Sequence, residues 1–276
     1  MSKIKSIFFL VALSVIVFIS CDEENFGFIN PFEDVDYEAL AKSDNDSIVQ
    51  FLSTHYYDAN LDDIRLINAG QTALINDTEN LKIKDVTQND IDYKLYVYIT
   101  EEGKPNSTKG NPTKVDSVFI SRTEIPLINN SIAFDPTRRN NKIWWNLVRT
   151  FVPISPDERA LVGAVNAFPF FRPGENITNN GPITYQNTGK GYVFMPSGLA
   201  YPSIDFVPGP RQNIDPLFDI IIVYKLELLD FVENTDHDND GKATIEEDAN
   251  GDGDPTNDFS DTSRPNLPDY LNPNIN

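Results

Sequence analysis

The sequence is poor in cysteine and in positive charge. Cysteine occurs once, at position 21, so no disulfide can form within one chain and a packed core must stabilise the fold. Lysine and arginine number 22 against 42 aspartates and glutamates, which gives a formal net charge of −20. Such an acidic chain is a poor partner for nucleic acid, whose phosphates attract basic surfaces. Its acidity suits an exported domain that binds cations.

Long apolar runs are also scarce, and the run at the N-terminus is short for a membrane span. Lys3 and Lys5 precede residues 7–19, which are almost wholly apolar. A helix that crosses a membrane needs roughly 20 apolar residues. A basic start followed by a shorter apolar run is typical of a secretory signal.

The end of this run carries a lipidation signal. The residues Phe18-Ile19-Ser20-Cys21 resemble a lipobox, in which the cysteine is acylated and becomes the new N-terminus. The resemblance implies a signal peptide over 1–20 and a lipidated tether over 21–42. It also implies that the lipid on Cys21 anchors the protein to a membrane of the cell envelope, at the outer membrane or the cell surface. The alternative is an uncleaved membrane anchor.

A helical period follows the tether. Ile48, Phe51 and Leu52 recur at helical spacing, and Asp44 or Asp46 is predicted to cap the N-terminus of the helix. We expect residues 43–91 to form an N-terminal helical segment. Its apolar stripe packs either on the main domain or on a second copy, which would make a homodimer.

From residue 92 the period changes to two. Tyr93, Leu95 and Val97 alternate with other residues as in a half-buried strand. Further strands are predicted at 116–122, 191–195 and 218–232. The last of these is apolar on both sides of its centre, which predicts a central strand.

One helix is predicted between these strands. Residues 155–158, Ser-Pro-Asp-Glu, have the form of a capping box with proline at the first helical position, and Pro169 is predicted to end the helix. A short helix among several strands predicts an α+β domain.

Two segments near the end of this region match a known family. Residues 191–201 read GYVFMPSGLAY, and residues 224–229 read YKLELL. They resemble the C-terminal half of FKBP-type peptidyl-prolyl isomerases, in which a Pro-x-x-Leu-Ala-Tyr turn follows one strand and the last strand ends in Glu-Leu-Leu. Residues 132–135, which read IAFD, resemble the first pocket segment of the family. The order of these matches predicts an isomerase domain over 92–232.

The resemblance implies a bent antiparallel sheet, a half-barrel, wrapped around a short α-helix. An aromatic pocket between them would accept proline-containing peptides or unfolded envelope proteins, and would need no cofactor for catalysis. Tyr201 corresponds to the tyrosine that donates a hydrogen bond to a substrate carbonyl. The remaining pocket residues implied by the family are Phe134, Asp135, Leu161, Val162, Ile214 and Tyr224.

Two departures from the family leave a second function open. Ala164 stands where active members usually have the tryptophan of the pocket floor, and Arg122 replaces a tyrosine of the pocket. Loss of the tryptophan removes a large apolar surface that would grip the substrate. The alternative to an isomerase is therefore a catalytically silent binding module with the same fold.

The C-terminal segment, residues 233–276, is rich in aspartate and contains a calcium-loop pattern. Residues 236–247 fit D-x-D-x-D-G-x₅-E, in which alternate carboxylates converge on one ion, glycine allows a sharp turn and the last glutamate can bind through both oxygens. The predicted Ca²⁺ ligands are Asp236, Asp238, Asp240, the backbone carbonyl of Lys242, Thr244 and Glu247.

A second aspartate-rich stretch follows, but it lacks the closing glutamate. Residues 248–254 repeat the pattern, and Phe259 occupies the twelfth position. The segment therefore resembles the calcium repeats of thrombospondin type 3 or of dockerin-like modules more than a complete EF-hand. Two alternatives stay open: a disordered acidic tail, and a purely structural calcium-binding surface lipoprotein.

Overall fold

A computed structural model describes residues 29–105, 108–132, 142–148, 160–208 and 214–275. The predicted signal peptide, Cys21, the pocket residues Phe134 and Asp135, and the capping box at 155–158 lie outside these described residues. None of the helices within the described ranges combines the length and the apolar character that a membrane crossing requires.

The chain divides into two compact units. The smaller comprises Met1–Asp34 and Phe206–Asn213, and in it the rings of Phe32 and Phe206 meet edge to face with centroids 5.3 Å apart. The larger comprises Val35–Asp205 and Ile214–Asn276. Among the described residues, all helices and strands belong to the larger unit.

The larger unit is built mainly from antiparallel strands, with two α-helices among its described residues. The helices are α1 (Tyr37–Thr54) and α2 (Val162–Ala167). The strands are β1 (His55–Asp58), β2 (Asp63–Leu66), β3 (Leu81–Gln88), β4 (Ile91–Glu101), β5 (Ser117–Ile128), β6 (Ser131–Ile132), β7 (Ile143–Asn146), β8 (Glu175–Asn176), β9 (Tyr185–Gln186), β10 (Gly189–Met195) and β11 (Ile222–Val232). This composition confirms the α+β prediction.

The main sheet has the order β3-β4-β10-β11-β5-β6, and β7 also pairs with β5. Strand β11 lies between β10 and β5, as its two-sided apolar character predicts. The register places Tyr224 between Val193 of β10 and Glu124 of β5. Strand β11 starts at Ile222 rather than at 218, because a turn ending at Asp219 (φ 57°) precedes it.

Side chains alternate across the sheet and cover both of its faces. On one face Leu95, Val97 and Val193 belong to the apolar cluster that contains α2. On the other face α1 buries Ile48, Phe51 and Leu52 against sheet residues, including Tyr96, Tyr98, Tyr192, Phe194 and Val223. The apolar stripe of α1 thus packs on the main sheet of its own chain, the first of the two predicted alternatives.

Helix α1 begins earlier than predicted. Asp36 is its N-cap, and the Asp36 carboxylate accepts a hydrogen bond from the backbone N–H of Ala39 at 3.0 Å. Asp44 and Asp46, the two predicted caps, both lie inside the helix, and Asp44 is 5% exposed. Its carboxylate accepts from the backbone N–H and the hydroxyl of Ser197, at 2.8 and 2.6 Å.

The predicted helical segment over 43–91 is α-helical only as far as Thr54, and a 3₁₀ turn follows at Leu74–Asn76. The backbone turns extended at His55 (φ −123°, ψ 156°), and β1, β2 and β3 follow. Strand β3 joins β4 through a two-residue turn, in which Asn89 and Asp90 adopt left-handed conformations (φ 53° and 60°). Such turns match the twist of a hairpin. The main sheet therefore begins at Leu81 and not at residue 92.

Helix α2 is shorter than predicted. Leu161 is extended (φ −67°, ψ 144°), so the helix begins at Val162, and Pro169 falls in the 3₁₀ turn Phe168–Phe170 that follows it. The helix approaches β10 closely, because a Cβ atom at Gly163 would overlap the side chain of Met195. Ala164 beside it is fully buried. Small residues at 163 and 164 thus allow the close contact between helix and sheet.

The acidic C-terminal segment folds into turns that pack on a small apolar cluster shared with the main domain. It contains the 3₁₀ turns Thr244–Glu247, Pro255–Asn257 and Asp269–Leu271. Tyr270 is fully buried in a cluster with Val115 and Val148. The turns of the segment are thereby attached to the segments that flank β5 and β7.

Candidate functional site

Four of the predicted pocket residues lie in one apolar cluster. Tyr201 follows the 3₁₀ turn Ser197–Leu199 after β10, Tyr224 lies in β11, and Leu161 and Val162 lie at the start of α2. All four belong to or pack against the cluster that contains α2. Leu161 and Tyr224 are buried, whereas Val162 and Tyr201 are half-buried and provide the accessible part of this face.

Ile214, predicted as a further pocket residue, does not join this cluster. Its side chain is 53% exposed. Leu217 and Ile220, from the same segment, pack against the cluster instead. The turn over 216–219, in which the Asp215 carboxylate accepts from the backbone N–H of Leu217 at 2.8 Å, turns the chain so that these later residues reach the core.

Glu124 is a central residue of the site that the sequence analysis missed. The hydroxyls of Tyr201 and Tyr224 both donate hydrogen bonds to its Oε2 atom, at 2.9 and 3.2 Å. Burial, and then the negative charge of Glu124, raises the pKa of the Tyr201 hydroxyl. Glu124 lies two residues after Arg122 on β5, and residues two apart in a strand lie on the same face. This spacing could have placed Glu124 beside the predicted pocket.

Arg122 is buried in the same face. Its side chain is 7% exposed, and its guanidinium carbon lies 4.3 Å from the ring centroid of Trp145 and 5.4 Å from that of Tyr224. Its Nε and Nη1 atoms have no hydrogen-bond partner among the described residues. The positive charge acts to lower the pKa of both Tyr201 and Tyr224, although burial outweighs it.

The two tryptophans of β7 differ in exposure. Trp145 is 4% exposed and meets Phe168 edge to face, with ring centroids 6.3 Å apart. Trp144 is 53% exposed and stacks on Phe119. The site thus combines aromatic and aliphatic walls with two tyrosine hydroxyls, one carboxylate and one guanidinium.

A second cluster of functional groups lies in the first acidic loop. Oxygen atoms of Asp236, Asp238 and Asp240 lie within 4.8 Å of one another. The Asp236 carboxylate accepts from the backbone N–H groups of Asn239 and Gly241, at 2.7 and 3.0 Å. Gly241 has φ 100°, a conformation that favours glycine, and so allows the sharp turn that brings the carboxylates together.

Glu247 ends the same loop and lies close enough for the charges of Asp238 and Asp240 to act on it. It is 3% exposed, and neither of its carboxylate oxygens has a hydrogen-bond partner within the described ranges. The Oδ2 atom of Asp238 is also buried without a partner there. Burial, and then the negative charges of Asp238 and Asp240, raises the pKa of Glu247 from 4.5 to about 7. Buried carboxylate oxygens that lack hydrogen-bond donors, near three converging carboxylates, fit a hard divalent cation.

The other two predicted ligands have different surroundings. The backbone N–H of Lys242 donates to Asp240 at 2.7 Å, which places this residue in the turn of the loop. The hydroxyl of Thr244 lies 2.8 Å from the ring Nδ1 of His237. The Thr244 side chain thus has a hydrogen-bond partner of its own, and the ring Nε2 of His237 lies 3.3 Å from the Asn146 Oδ1 of β7.

The second acidic loop has similar turns but satisfied carboxylates. Asp248 accepts from the backbone N–H groups of Gly251 and Gly253, at 2.8 and 2.6 Å. Asp252 accepts from the side-chain amide of Asn257 at 2.9 Å. Phe259, at the closing position, is 40% exposed. Among the described residues of this loop, no carboxylate oxygen is buried without a partner, unlike Glu247.

Comparisons with known proteins place FKBP-type immunophilins among the similar solved structures. FkpA from Escherichia coli is 15% identical with a TM-score of 0.33, and the match covers 70% of this chain and 62% of that one. The structure of the three FKBP domains of wheat FKBP73 is 14% identical with a TM-score of 0.32, and the match covers 55% of this chain and 51% of that one. The N-terminal domain of FKBP42 from Arabidopsis thaliana is 14% identical with a TM-score of 0.30, and the match covers 54% of this chain and 93% of that one. This chain thus spans about half of the wheat structure. No family model and no curated protein matches the chain.

Proposed function

We propose that the chain binds proline-containing peptides at the face formed by Tyr201, Tyr224, Leu161 and Val162, and catalyses the isomerisation of X-Pro bonds there. One observation carries the proposal: these residues come from three separate elements and meet in one apolar cluster. The antiparallel sheet with α2 against one face supports an FKBP-like arrangement of this site.

The chemistry asked of the site is modest. Rotation about an X-Pro bond has a barrier of about 18–20 kcal/mol, because resonance keeps the amide planar. An apolar surface that removes water from the amide favours the twisted form over the planar one. The hydroxyl of the half-buried Tyr201 would be the donor for a substrate carbonyl. Since this hydroxyl donates to Glu124 at 2.9 Å, the substrate carbonyl would take the place of Glu124 as acceptor.

A catalytically silent peptide-binding module is the second candidate for this face. The buried guanidinium of Arg122 lies against Tyr224, and Ala164 provides no aromatic floor. A buried charge reduces the apolar character on which amide twisting depends. Peptide binding survives this change more readily than catalysis does.

An isomerisation assay separates these candidates. The purified protein should accelerate cis-to-trans conversion of a short Xaa-Pro peptide, and Tyr201→Phe should lower that acceleration about tenfold, the worth of one hydrogen bond. Tyr57→Phe is the matched control, because it removes a hydroxyl that also donates to a carboxylate, Asp62, at 2.9 Å. Peptide binding without acceleration would establish the silent module. Absence of both would overturn the proposal.

We propose in addition that the first acidic loop binds Ca²⁺. Asp236, Asp238, Asp240 and Glu247 would hold the ion, and the backbone carbonyl of Lys242 would complete the set. The supporting observation is Glu247, a buried carboxylate whose oxygens lack hydrogen-bond partners among the described residues. The ion would neutralise this charge and stabilise the turns of the C-terminal segment.

Calorimetric titration with Ca²⁺ tests this site. The parent protein should release or absorb heat with one-site saturation, and Glu247→Gln should weaken the binding strongly. Glu246→Gln is the matched control, since it removes the same charge from the neighbouring exposed residue. A flat titration of the parent, or an equal loss in both variants, would overturn the assignment.

Attachment to the cell envelope through a lipid on Cys21 is likewise our proposal, supported by the signal-like residues before it. Cys21→Ser should release the protein from the membrane fraction. Retention of this variant in the membrane would favour the uncleaved anchor.

A further inference from the structure

We propose that the peptide site selects ligands that carry a carboxylate, and that Arg122 is the residue that recognises it. The inference rests on the proposed peptide binding and names its substrate class. It starts from the Nε and Nη1 atoms of Arg122, which are buried without a hydrogen-bond partner among the described residues.

A buried guanidinium with unpaired N–H groups is costly. Burial removes water from a charged group, and that cost is recovered only when acceptors replace the water. Cation–π attraction offsets part of this desolvation cost. The ring centroids of Trp145 and Tyr224 lie 4.3 and 5.4 Å from the guanidinium carbon. Aromatic faces do not accept the in-plane N–H groups of the guanidinium. The arrangement is therefore incomplete without an acceptor.

A carboxylate is the acceptor that best fits a guanidinium. The planar fork of arginine pairs with the two oxygens of a carboxylate through parallel hydrogen bonds. The nearby Glu124 already accepts two tyrosine hydroxyls at its Oε2 atom. A ligand carboxylate paired with Arg122 would lie beside Tyr224, close to the hydroxyl of Tyr201 that we assign to the substrate carbonyl.

The overall charge of the chain makes this inference sharply testable. At a net charge of −20, long-range electrostatics favours basic peptides and disfavours acidic ones. If only the overall charge decided affinity, peptides with Lys before proline would bind most tightly, those with Gln less tightly and those with Glu least tightly. Recognition by Arg122 predicts the reverse order.

The experiment measures dissociation constants for capped peptides Ala-Xaa-Pro-Phe with Xaa as Glu, Gln or Lys, by calorimetry at roughly 0.15 M salt, where surface charges are largely screened. The Glu peptide should bind about tenfold more tightly than the Gln peptide, as for a hydrogen-bonded charge pair. A fourth peptide, with Gln and a free C-terminal carboxylate, distinguishes a side-chain source of the carboxylate from a chain terminus.

Three variants complete the test. Arg122→Gln should abolish the preference for the Glu peptide, and Arg122→Lys, which keeps the charge but loses the fork, should reduce it. Arg172→Gln, which removes an equal charge from an exposed position, should keep it. If Arg122→Gln does not fold, the parent and Arg122→Lys decide the outcome.

The outcomes separate the inference from the proposed function. If the parent binds these peptides without preferring either carboxylate, the role of Arg122 is overturned while peptide binding stands. If the parent binds none of the peptides, the proposed function itself is overturned. An equal loss of preference in Arg172→Gln would also contradict recognition by Arg122.

Discussion

Two of the buried carboxylates, in different regions of the molecule, have different surroundings. Asp44, inside α1, is 5% exposed and accepts two hydrogen bonds from Ser197. Glu247, in the first acidic loop, is 3% exposed, and its oxygens have no hydrogen-bond partner among the described residues. Burial raises the pKa of both groups.

The difference between the two carboxylates lies in their partners and not in their burial. Asp44 holds α1 to the turn after β10, since each hydrogen bond joins residues that are 153 positions apart. Burial, and then the carboxylates of Asp238 and Asp240, raises the pKa of Glu247 more than Lys242 lowers it, so Glu247 is free to bind a cation. The first is a structural contact and the second is a candidate ligand.

The largest effect should come from removing the satisfied carboxylate. Asp44→Ala leaves two buried donors of Ser197 without an acceptor, and should lower the free energy of unfolding by about 3 kcal/mol. Asp46→Ala, at an exposed position of the same helix, should change it by less than about 0.5 kcal/mol. Urea denaturation measures both. Equal effects of the two variants would show that the contact with Ser197 contributes nothing.

The unsatisfied carboxylate should give an effect of opposite sign. In the presence of a chelator at pH 8, Glu247→Gln should raise the free energy of unfolding by about 1 kcal/mol, because it removes a buried charge that lacks donors. The exposed neighbour Glu246, changed to Gln, controls for the overall charge. A destabilised Glu247→Gln protein under these conditions would mean that hydrogen bonds already satisfy the carboxylate.

The same residue should make stability depend on pH. The pKa of Glu247 is about 7 in the folded chain against an ordinary 4.5, so the folded state binds more protons between these values. Stability without Ca²⁺ should therefore fall as the pH rises from 4.5 to 7, and the Glu247→Gln variant should lose this slope. Ca²⁺ affinity should rise over the same range, because the ion needs the ionised carboxylate.

The smallest effect is expected at Arg122, a buried charge of the other sign. Arg122→Met removes the cost of unpaired N–H groups but also two cation–π contacts, each worth about 0.5–2 kcal/mol. These terms nearly cancel, and we expect a change within about 1 kcal/mol. A loss above about 3 kcal/mol in urea denaturation would show that the guanidinium is fully paired in the folded protein.

Local sequence patterns predicted the strands better than the ends of the helices. The period of two in β4 and the two-sided apolar character of β11 reflect which side chains of each strand are buried. This burial pattern is visible in consecutive residues of the sequence. The predicted start of α1 was wrong, because in the sequence an aspartate within the helix, just before its apolar stripe, cannot be distinguished from an aspartate that caps the helix. Asp44 is instead used in a contact with Ser197, and only the folded chain brings those residues together.

The candidate peptide site was predicted in part. Tyr201, Tyr224, Leu161 and Val162 lie in one cluster, as the family resemblance implied, whereas Ile214 is exposed. Glu124 was missed, since its role depends on the register between β5 and β11. Trp145 lies beside Arg122 because β7 also pairs with β5, and no pattern within one strand indicates that pairing.

The sequence by itself determined the types of chemistry that this protein carries. The spacing of Asp236, Asp238 and Asp240 around Gly241 is a local property, so their convergence could be predicted from neighbouring positions. The tertiary structure alone decided which charged groups have partners. Ser197 reaches Asp44, while both carboxylate oxygens of Glu247 and the Nε and Nη1 atoms of Arg122 are buried without hydrogen-bond partners among the described residues. Burial and pairing depend on groups distant in the chain, which a local pattern does not contain.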